Sequence, residues 1–176
     1  MTEKEIIEGC AREDRKCQRF LWDKYAPKLL TVSVRYCLSR EDAEDVLMES
    51  MVKIFDKMQE FRGQSTLETW MRRIVVNTSI NKIRATKITD TIDSETNNIG
   101  YSDEGFDAMN AKQLMALLDK LPIGYRTVFN LFAIEGYSHK EISDEMGIDE
   151  GTSRSQLAKA RKALQEMITN NEHVRL

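Results

Sequence analysis

No apolar run in the sequence approaches the roughly 18 residues that a membrane-spanning helix requires. The first ten residues, MTEKEIIEGC, are charged and lack the apolar stretch of a secretory signal. The expectation is a chain that stays in the cytoplasm, with no membrane insertion. Cysteine is scarce: Cys10, Cys17 and Cys37 make an odd set without a C-x-x-C pair. A zinc site would need more ligands, and both histidines, His139 and His173, lie far off in sequence. The thiols are therefore expected to be reduced, buried and packed as small apolar groups; Cys10 and Cys17 are seven apart, a spacing that on a helix puts both on one face. There is no Gly-rich phosphate loop and no nucleophile–base motif. Asp42, Asp45 and Glu49 stand at helical spacing and could ligate a divalent ion, but a carboxylate bundle site also wants Glu-x-x-His from facing helices, and none occurs. No metal, no cofactor and no catalysis are expected.

Alternating β-branched runs are also missing, and almost every periodic segment reads as helix, which predicts an all-α fold. At 176 residues the chain suits one large domain or two small ones. Thr2 and Glu5 form a capping box for a first helix. A second helical stretch spans about Arg12 to Leu38, with Cys17, Phe20, Leu21, Tyr25, Leu29, Leu30, Val34, Cys37 and Leu38 at three/four spacing. Pro27 lies within it and is expected to kink or split it, because proline lacks the amide donor. Ser39 and Asp42 start a third helix whose inner face is Ala43, Val46, Leu47, Met51, Ile54, Phe55 and Met58. After the loop Phe61-Arg62-Gly63-Gln64, Ser65 is expected to cap a fourth helix, with Leu67, Trp70, Met71, Ile74 and Thr78 inward. From about Ala85 to Asp107 periodicity gives way to Thr, Asp, Ser, Asn and Gly, the composition of a segment that cannot offset its ordering entropy. The predicted organisation is a domain at 1–86, a flexible acidic linker at 87–107 and a second domain at 108–176. As a coil of about 23 residues the stretch from Ala85 to Asp107 would span about 25–30 Å, and fully extended about 75–80 Å.

The formal net charge is −3, which by itself argues against a nucleic-acid partner, but the distribution matters more. Between Arg62 and Lys87 the cations Arg62, Arg72, Arg73, Lys82, Arg84 and Lys87 face one acid, Glu68. From Gly151 to Ala163 stand Arg154, Lys159, Arg161 and Lys162 with no acid. Between the islands lie Asp90, Asp93, Glu95, Asp103, Glu104 and Asp107. Two basic islands flanking an acidic tether suit a protein that touches nucleic acid at two places.

The second domain carries the most specific pattern. Leu114, Leu117, Leu118 and Leu121 lead to Pro122, and a helix over Tyr125–Ile134 ends at Gly136. Ser138-His139-Lys140-Glu141 is a capping box for a short helix with Ile142 and Met146 inward. Gly147 ends it, Ile148 plugs the turn, and a longer helix begins near Glu150. Short helix, glycine turn and long basic helix make a helix-turn-helix. Leu157, Ala160, Leu164 and Ile168 share one face of the long helix. Thr152, Ser155, Lys159 and Lys162 project opposite, with Arg154 and Gln156 on the flanks: short hydroxyl, amide and cationic groups suited to phosphates and base edges in a major groove.

Leu118-x-x-Leu121-Pro122, Arg126, Glu135-Gly136-Tyr137-Ser138, Glu141-Ile142, Gly147-Ile148, Gly151-Thr152 and Ala160-Arg161 resemble region 4 of the extracytoplasmic-function sigma factors. Asp42-Ala43-Glu44-Asp45-Val46, Glu49, Phe61-Arg62-Gly63, Ser65, Thr69-Trp70, Ile74, Asn77 and Arg84 are similar to region 2 of the same family. The resemblance implies partners: core RNA polymerase (β′ clamp helices and β flap), promoter DNA and an anti-sigma factor. It implies that the acidic third helix docks on the clamp helices; its outward face holds Glu41, Asp45, Glu49 and Asp56 around Met48 and Val52, an apolar centre with a polar rim. It implies that Arg62, Gly63, Gln64 and Ser65 capture a base flipped from the minus-ten element, with Asn77, Asn81 and Arg84 lining the opened strand. It assigns Thr152, Arg154, Ser155, Gln156, Lys159 and Lys162 to the minus-thirty-five element. The linker either threads polymerase channels by charge mimicry or serves as a plain tether. The chain departs from the family pattern at Met48, usually glutamine; Asn81, commonly aspartate; Ser153, usually an inward valine, expected to loosen packing; and Gln156, often arginine. A helix-turn-helix regulator acting without polymerase, and a purely structural helical adaptor, are the competing readings.

Overall fold

Short polar caps decide where each helix begins. The chain is described by a computed structural model that covers residues 1–89 and 106–173. It contains two compact units, residues 1–89 and 90–176, and all regular structure among the described residues is helical. In the first unit, Thr2 and Glu5 form the expected capping box of α1 (Glu3–Ala11). Asp14 then accepts from the amides of Lys16 and Cys17 and opens α2 (Arg15–Val34). The second helix therefore starts at Arg15 and not at Arg12, and Cys10 and Cys17 belong to different helices. Both thiols are nevertheless buried and free. Burial raises the Cys10 thiol to about 11, with Cys17 and Asp14 adding to the shift.

Pro27 does not split α2, which runs unbroken from Arg15 to Val34. Its ring is exposed, as is Asp23, whose carbonyl loses the proline's amide as a partner and can be hydrated instead. Buried Leu21, Tyr25, Ala26 and Leu29 hold the helix in register on either side. Phe20, expected on the inner face, is exposed.

Ser39 caps α3 (Arg40–Asp56) by accepting from the Asp42 amide. Ala43, Val46, Leu47, Ser50, Met51 and Ile54 are its buried line, and Met58 follows in a short 3₁₀ turn, Met58–Glu60. Thr66, not Ser65, caps α4 (Leu67–Thr89): its hydroxyl accepts from the Thr69 amide at 3.2 Å, while Ser65 Oγ donates to the Thr66 carbonyl. The buried line of α4 is also rotated from expectation. Leu67, Met71 and Thr78 are buried as expected, but Val75, Val76, Ser79, Ile80 and Ile83 complete the line, and Trp70 and Ile74 are only half-buried. Helix α4 continues to Thr89 and the next helix begins at Phe106, so the ends of the segment read as linker are helical. Residues 90–105 lie outside the described residues.

The second unit packs α5 (Phe106–Leu118), α6 (Ile123–Phe129), a π-helical extension over Asn130–Ile134, α7 (His139–Met146) and α8 (Glu150–His173). Leu118, Leu121, Ala160 and Leu164 form one core cluster, with Leu117, Tyr125, Phe129 and Met167 against it. Ile168 is exposed, and the half-buried Met167 takes the inward place instead. Gly136 and Gly147 have φ of 75° and 64°, the left-handed conformation that lets each chain reversal occur without a Cβ clash.

Two interior features bear directly on stability. A Cβ on Gly9 would meet Cys17 Sγ at 2.1 Å and its Cβ at 2.7 Å, so α1 and α2 approach this closely only because position 9 is glycine. Gly9→Ala is expected to cost about 1–3 kcal/mol by overpacking, and Cys17→Ala in that background should recover part of it, as read by thermal unfolding of the pair and of the single variants. In the second unit, Arg126 Nη1 donates to Asp119 Oδ1 at 3.1 Å with both side chains buried. Burial holds the Asp119 carboxyl above its ordinary value, opposed by the charge and hydrogen bond of Arg126. A carboxyl raised in the folded state contributes stability below its unfolded value and loses that contribution as pH rises through the folded one. Arg126→Met removes the opposing cation, so a loss of about 3–5 kcal/mol is expected at neutral pH. Part of it should return on acidification toward about pH 5, checked by denaturant unfolding at both values.

Candidate nucleic-acid interface

The buried line of α3 fixes what its other side presents. Glu41, Asp45, Met48, Glu49 and Val52 all face solvent, as does Asp56. Met48 is 56% exposed and Val52 58% exposed, which places two bare apolar groups inside a ring of carboxylates. The acids are not idle. Lys53 Nζ lies 2.6 Å from Glu49 Oε1 and 3.3 Å from Thr78 Oγ1 on α4. Lys82 Nζ, also from α4, lies 2.8 Å from Asp42 Oδ1 and 3.4 Å from Asp45 Oδ2. The Lys82 hydrogen bond lowers the Asp42 carboxyl against the pull of burial, helped by Ser39. Burial works to lower Lys82, and Asp42 and then Asp45 outweigh it, so its ammonium is raised. Among the described residues, no group of three or more His, Cys, Asp or Glu side chains is placed to hold a metal ion.

The loop before α4 is pinned at its root by Phe61 against Trp70, ring centroids 5.3 Å apart. Beyond that root Arg62, Gly63, Gln64 and Ser65 are exposed, and Gly63 has φ of 69° with nothing within 4 Å of where a Cβ would sit. Asn81 and Arg84 are exposed farther along α4. Asn81 lies about 20 Å down the helix axis from the cap at Thr66, at 1.5 Å per residue. Loop and helix thus form an elongated strip. Asn77 shares the side of Asn81 and Arg84 at three/four spacing, yet it is half-buried and its Oδ1 is enclosed without a hydrogen-bond partner.

The helix-turn-helix forms as the spacing predicts. Ser138 and Glu141 complete the capping box of α7, and Gly147 closes it in the left-handed conformation. Ser153, Leu157, Ala160 and Leu164 point into the core from α8. Arg154, Ser155, Lys159 and Lys162 are exposed on the far side and Thr152 is half-exposed. Arg154 is paired with Glu150 at 2.6 Å, and Lys159 Nζ stands 5.9 Å from the Tyr125 ring centre. Gln156 departs from expectation: it is half-buried, its Oε1 is enclosed, and it packs beside Gly124 at the start of α6. Ser153 does not leave a polar hole. Its hydroxyl, 0% exposed, lies 2.9 Å from Nδ1 of His139, whose ring stacks on Phe132 at 4.7 Å.

Sequence reasoning missed Lys82, Lys53 and the His139–Ser153 pair. The first two were visible only as cations on helices, since pairing across α3 and α4 depends on how the helices pack. A serine on the apolar line of α8 was the one signal of the third.

Two family models match, "Sigma-70 region 2" over residues 21–88 and "Sigma-70, region 4" over residues 111–164. The ECF RNA polymerase sigma-E factor of Haemophilus influenzae is 29% identical over 182 residues, covering 96% of this chain and 96% of that protein. The RNA polymerase sigma-H factor of Pseudomonas aeruginosa is 27% identical over 180 residues, covering 94% and 93%. The sigma factor RpoE of Bartonella quintana, solved in complex with the anti-sigma factor NepR, shares the fold with a TM-score of 0.57 at 21% identity, covering 86% of this chain and 96% of that one. With region 2 in its first unit, region 4 in its second and full-length relatives of this kind, the chain belongs to the extracytoplasmic-function sigma factors of RNA polymerase.

Proposed function

We propose that this sigma factor divides promoter recognition among three surfaces and catalyses nothing itself. The α3 face docks on core polymerase: Met48 and Val52 supply the apolar centre and Glu41, Asp45 and Glu49 the rim. The strip from Arg62–Ser65 to Asn81 and Arg84 holds the minus-ten strand, with Gln64 and Ser65 offering hydrogen bonds to an unstacked base. Release of Ser65 from capping duty favours this role. Trapping unstacked bases shifts the duplex toward the open form without covalent chemistry. On α8, Thr152, Arg154, Ser155, Lys159 and Lys162 meet the minus-thirty-five element. Gln156 sits at the edge of that set and acts through packing on Gly124, and Asn77 contributes only its exposed part to the α4 strip. The stretch outside the described residues joins the two DNA-reading units as the acidic linker. An anti-sigma factor is the proposed regulator, and the site of action is wherever polymerase works, in the cytoplasm. Among the described residues no helix is long and apolar enough to cross a membrane.

One observation carries the reading: two large apolar side chains lie bare within a carboxylate ring on a helix whose opposite face is fully used by the core. A regulator acting alone gives no reason for such a face. Run-off transcription with core polymerase, with and without the chain, is the test; specific transcripts should depend on it, and operator binding undiminished by the absence of polymerase would favour the regulator instead.

Met48→Glu is expected to weaken core binding at least about tenfold, the order of losing a central interface contact, while the melting temperature stays put; titration of labelled chain with core checks both. Lys162→Ala should weaken binding to upstream promoter DNA across sequences and reduce the salt slope by about 1. Gln156→Ala should leave that slope unchanged and alter the melting temperature instead.

A further inference from the structure

Lys82 belongs to the helix that carries Asn81 and Arg84, yet its charge is turned away from them. It is held by two carboxylates of α3, Asp42 at 2.8 Å and Asp45 at 3.4 Å. The two acids differ. Asp42 is half-buried and also bonded to Ser39, whereas the Asp45 side chain is 73% exposed and lies on the outward face with Met48 and Glu49. One lysine and two aspartates sum to −1, directly beside the α4 strip. A phosphate approaching Asn81 and Arg84 therefore finds the charge of Arg84 offset by its neighbours, although a second cation lies within the cluster.

We propose that Lys82 is a further phosphate contact of the α4 strip, one that is masked in the free chain and becomes available when a cationic partner surface takes Asp45. The inference rests on the docking and strand-binding roles proposed above. Once Asp45 is paired elsewhere, Lys82 and Asp42 together are neutral, and the flexible four-carbon stem of lysine lets the ammonium swing from the α3 edge toward the neighbouring Asn81 side. Loss of Asp45 costs little, because an ion pair with so exposed a carboxylate contributes little by itself, and the half-buried bond to Asp42 is then the one a phosphate has to displace. Glu49 has a similar arrangement with Lys53, which sits on α3 and is also bonded to Thr78 of α4. The device makes DNA affinity conditional on polymerase: the same carboxylate that docks also shields.

The experiment is a cycle of Asp45→Asn and Lys82→Met, read in two settings. For the isolated full chain, binding is measured to a labelled single-stranded oligonucleotide of mixed sequence. Asp45→Asn should raise affinity about threefold or more with Lys82 present and distinctly less in the Lys82→Met background, since each phosphate neutralised adds to binding. An equal gain in both backgrounds means that only long-range charge has changed, and overturns the proposal. For the complex with core polymerase at saturation, on a promoter fragment chosen by its transcription with this chain, Lys82→Met should weaken binding and lower the salt slope by about 0.7–1. Lys82→Arg should retain both. An unchanged slope on Lys82→Met also overturns it. Arg84→Met is the control that separates the two levels. If Arg84→Met weakens DNA binding and Lys82→Met does not, the masking idea fails alone; if both are silent, the strand-binding role of α4 fails with it. Thermal unfolding of each variant accompanies the titrations, so that a change in binding is scored only where the melting transition is intact.

Discussion

A helix has one rotation about its own axis, and burial of its apolar line sets it. That constraint governs each surface described above. On α3, the inward set Ala43, Val46, Leu47, Ser50, Met51 and Ile54 leaves Met48 and Val52 nowhere to go but outward. On α8, Ser153, Leu157, Ala160 and Leu164 turn inward and thereby hold Ser155 and Lys162 on the far side. The bare apolar groups are thus not a packing failure. They remain exposed because the core is complete without them, as expected of groups reserved for a partner.

Polar groups in the interior sharpen these rotations. Ser153 could have been a flaw in an apolar line; its bond to His139 ties the start of α7 to the long helix and makes the register between them specific. The buried Asp119–Arg126 pair does the same between the end of α5 and α6, at the cost of raising a carboxyl that would prefer water. Between α3 and α4, Lys53 and Lys82 bridge helices that otherwise meet through apolar contacts. Directional bonds of this kind add modest stability, but they penalise sliding and rotation, which apolar contact alone tolerates.

Where the chain departs from its family pattern, the surroundings give physical reasons for two of the changes. Gln156 stands beside Gly124, where its amide packs against a helix start that has no side chain in the way. Met48, in place of an amide, enlarges the apolar centre that Val52 begins and moves the proposed docking contact toward dispersion and area burial. Asn81 is exposed and neutral where the family commonly has an acid. That absence of charge matters in a neighbourhood where Lys82 is already outnumbered by Asp42 and Asp45.

Local chemistry was legible in the residues themselves. The capping boxes at Thr2 and Ser138, the start at Ser39, the left-handed Gly147 and the acid-ringed Met48 were all readable, because each depends on neighbours within a turn or two of chain. Three readings failed where such local signals competed or fell short. Asp14 opened the second helix at Arg15, later than the start near Arg12 that the spacing suggested. Thr66 displaced Ser65 as cap. Pro27 was tolerated because buried residues on both sides held its helix together. The rotation of α4, the turning of Gln156 toward Gly124, the His139–Ser153 bond and the grip of Lys82 on two aspartates were decided only by the tertiary fold. Each joins groups far apart in sequence, and contacts of that kind follow from how whole helices pack, which spacing along a single helix does not encode.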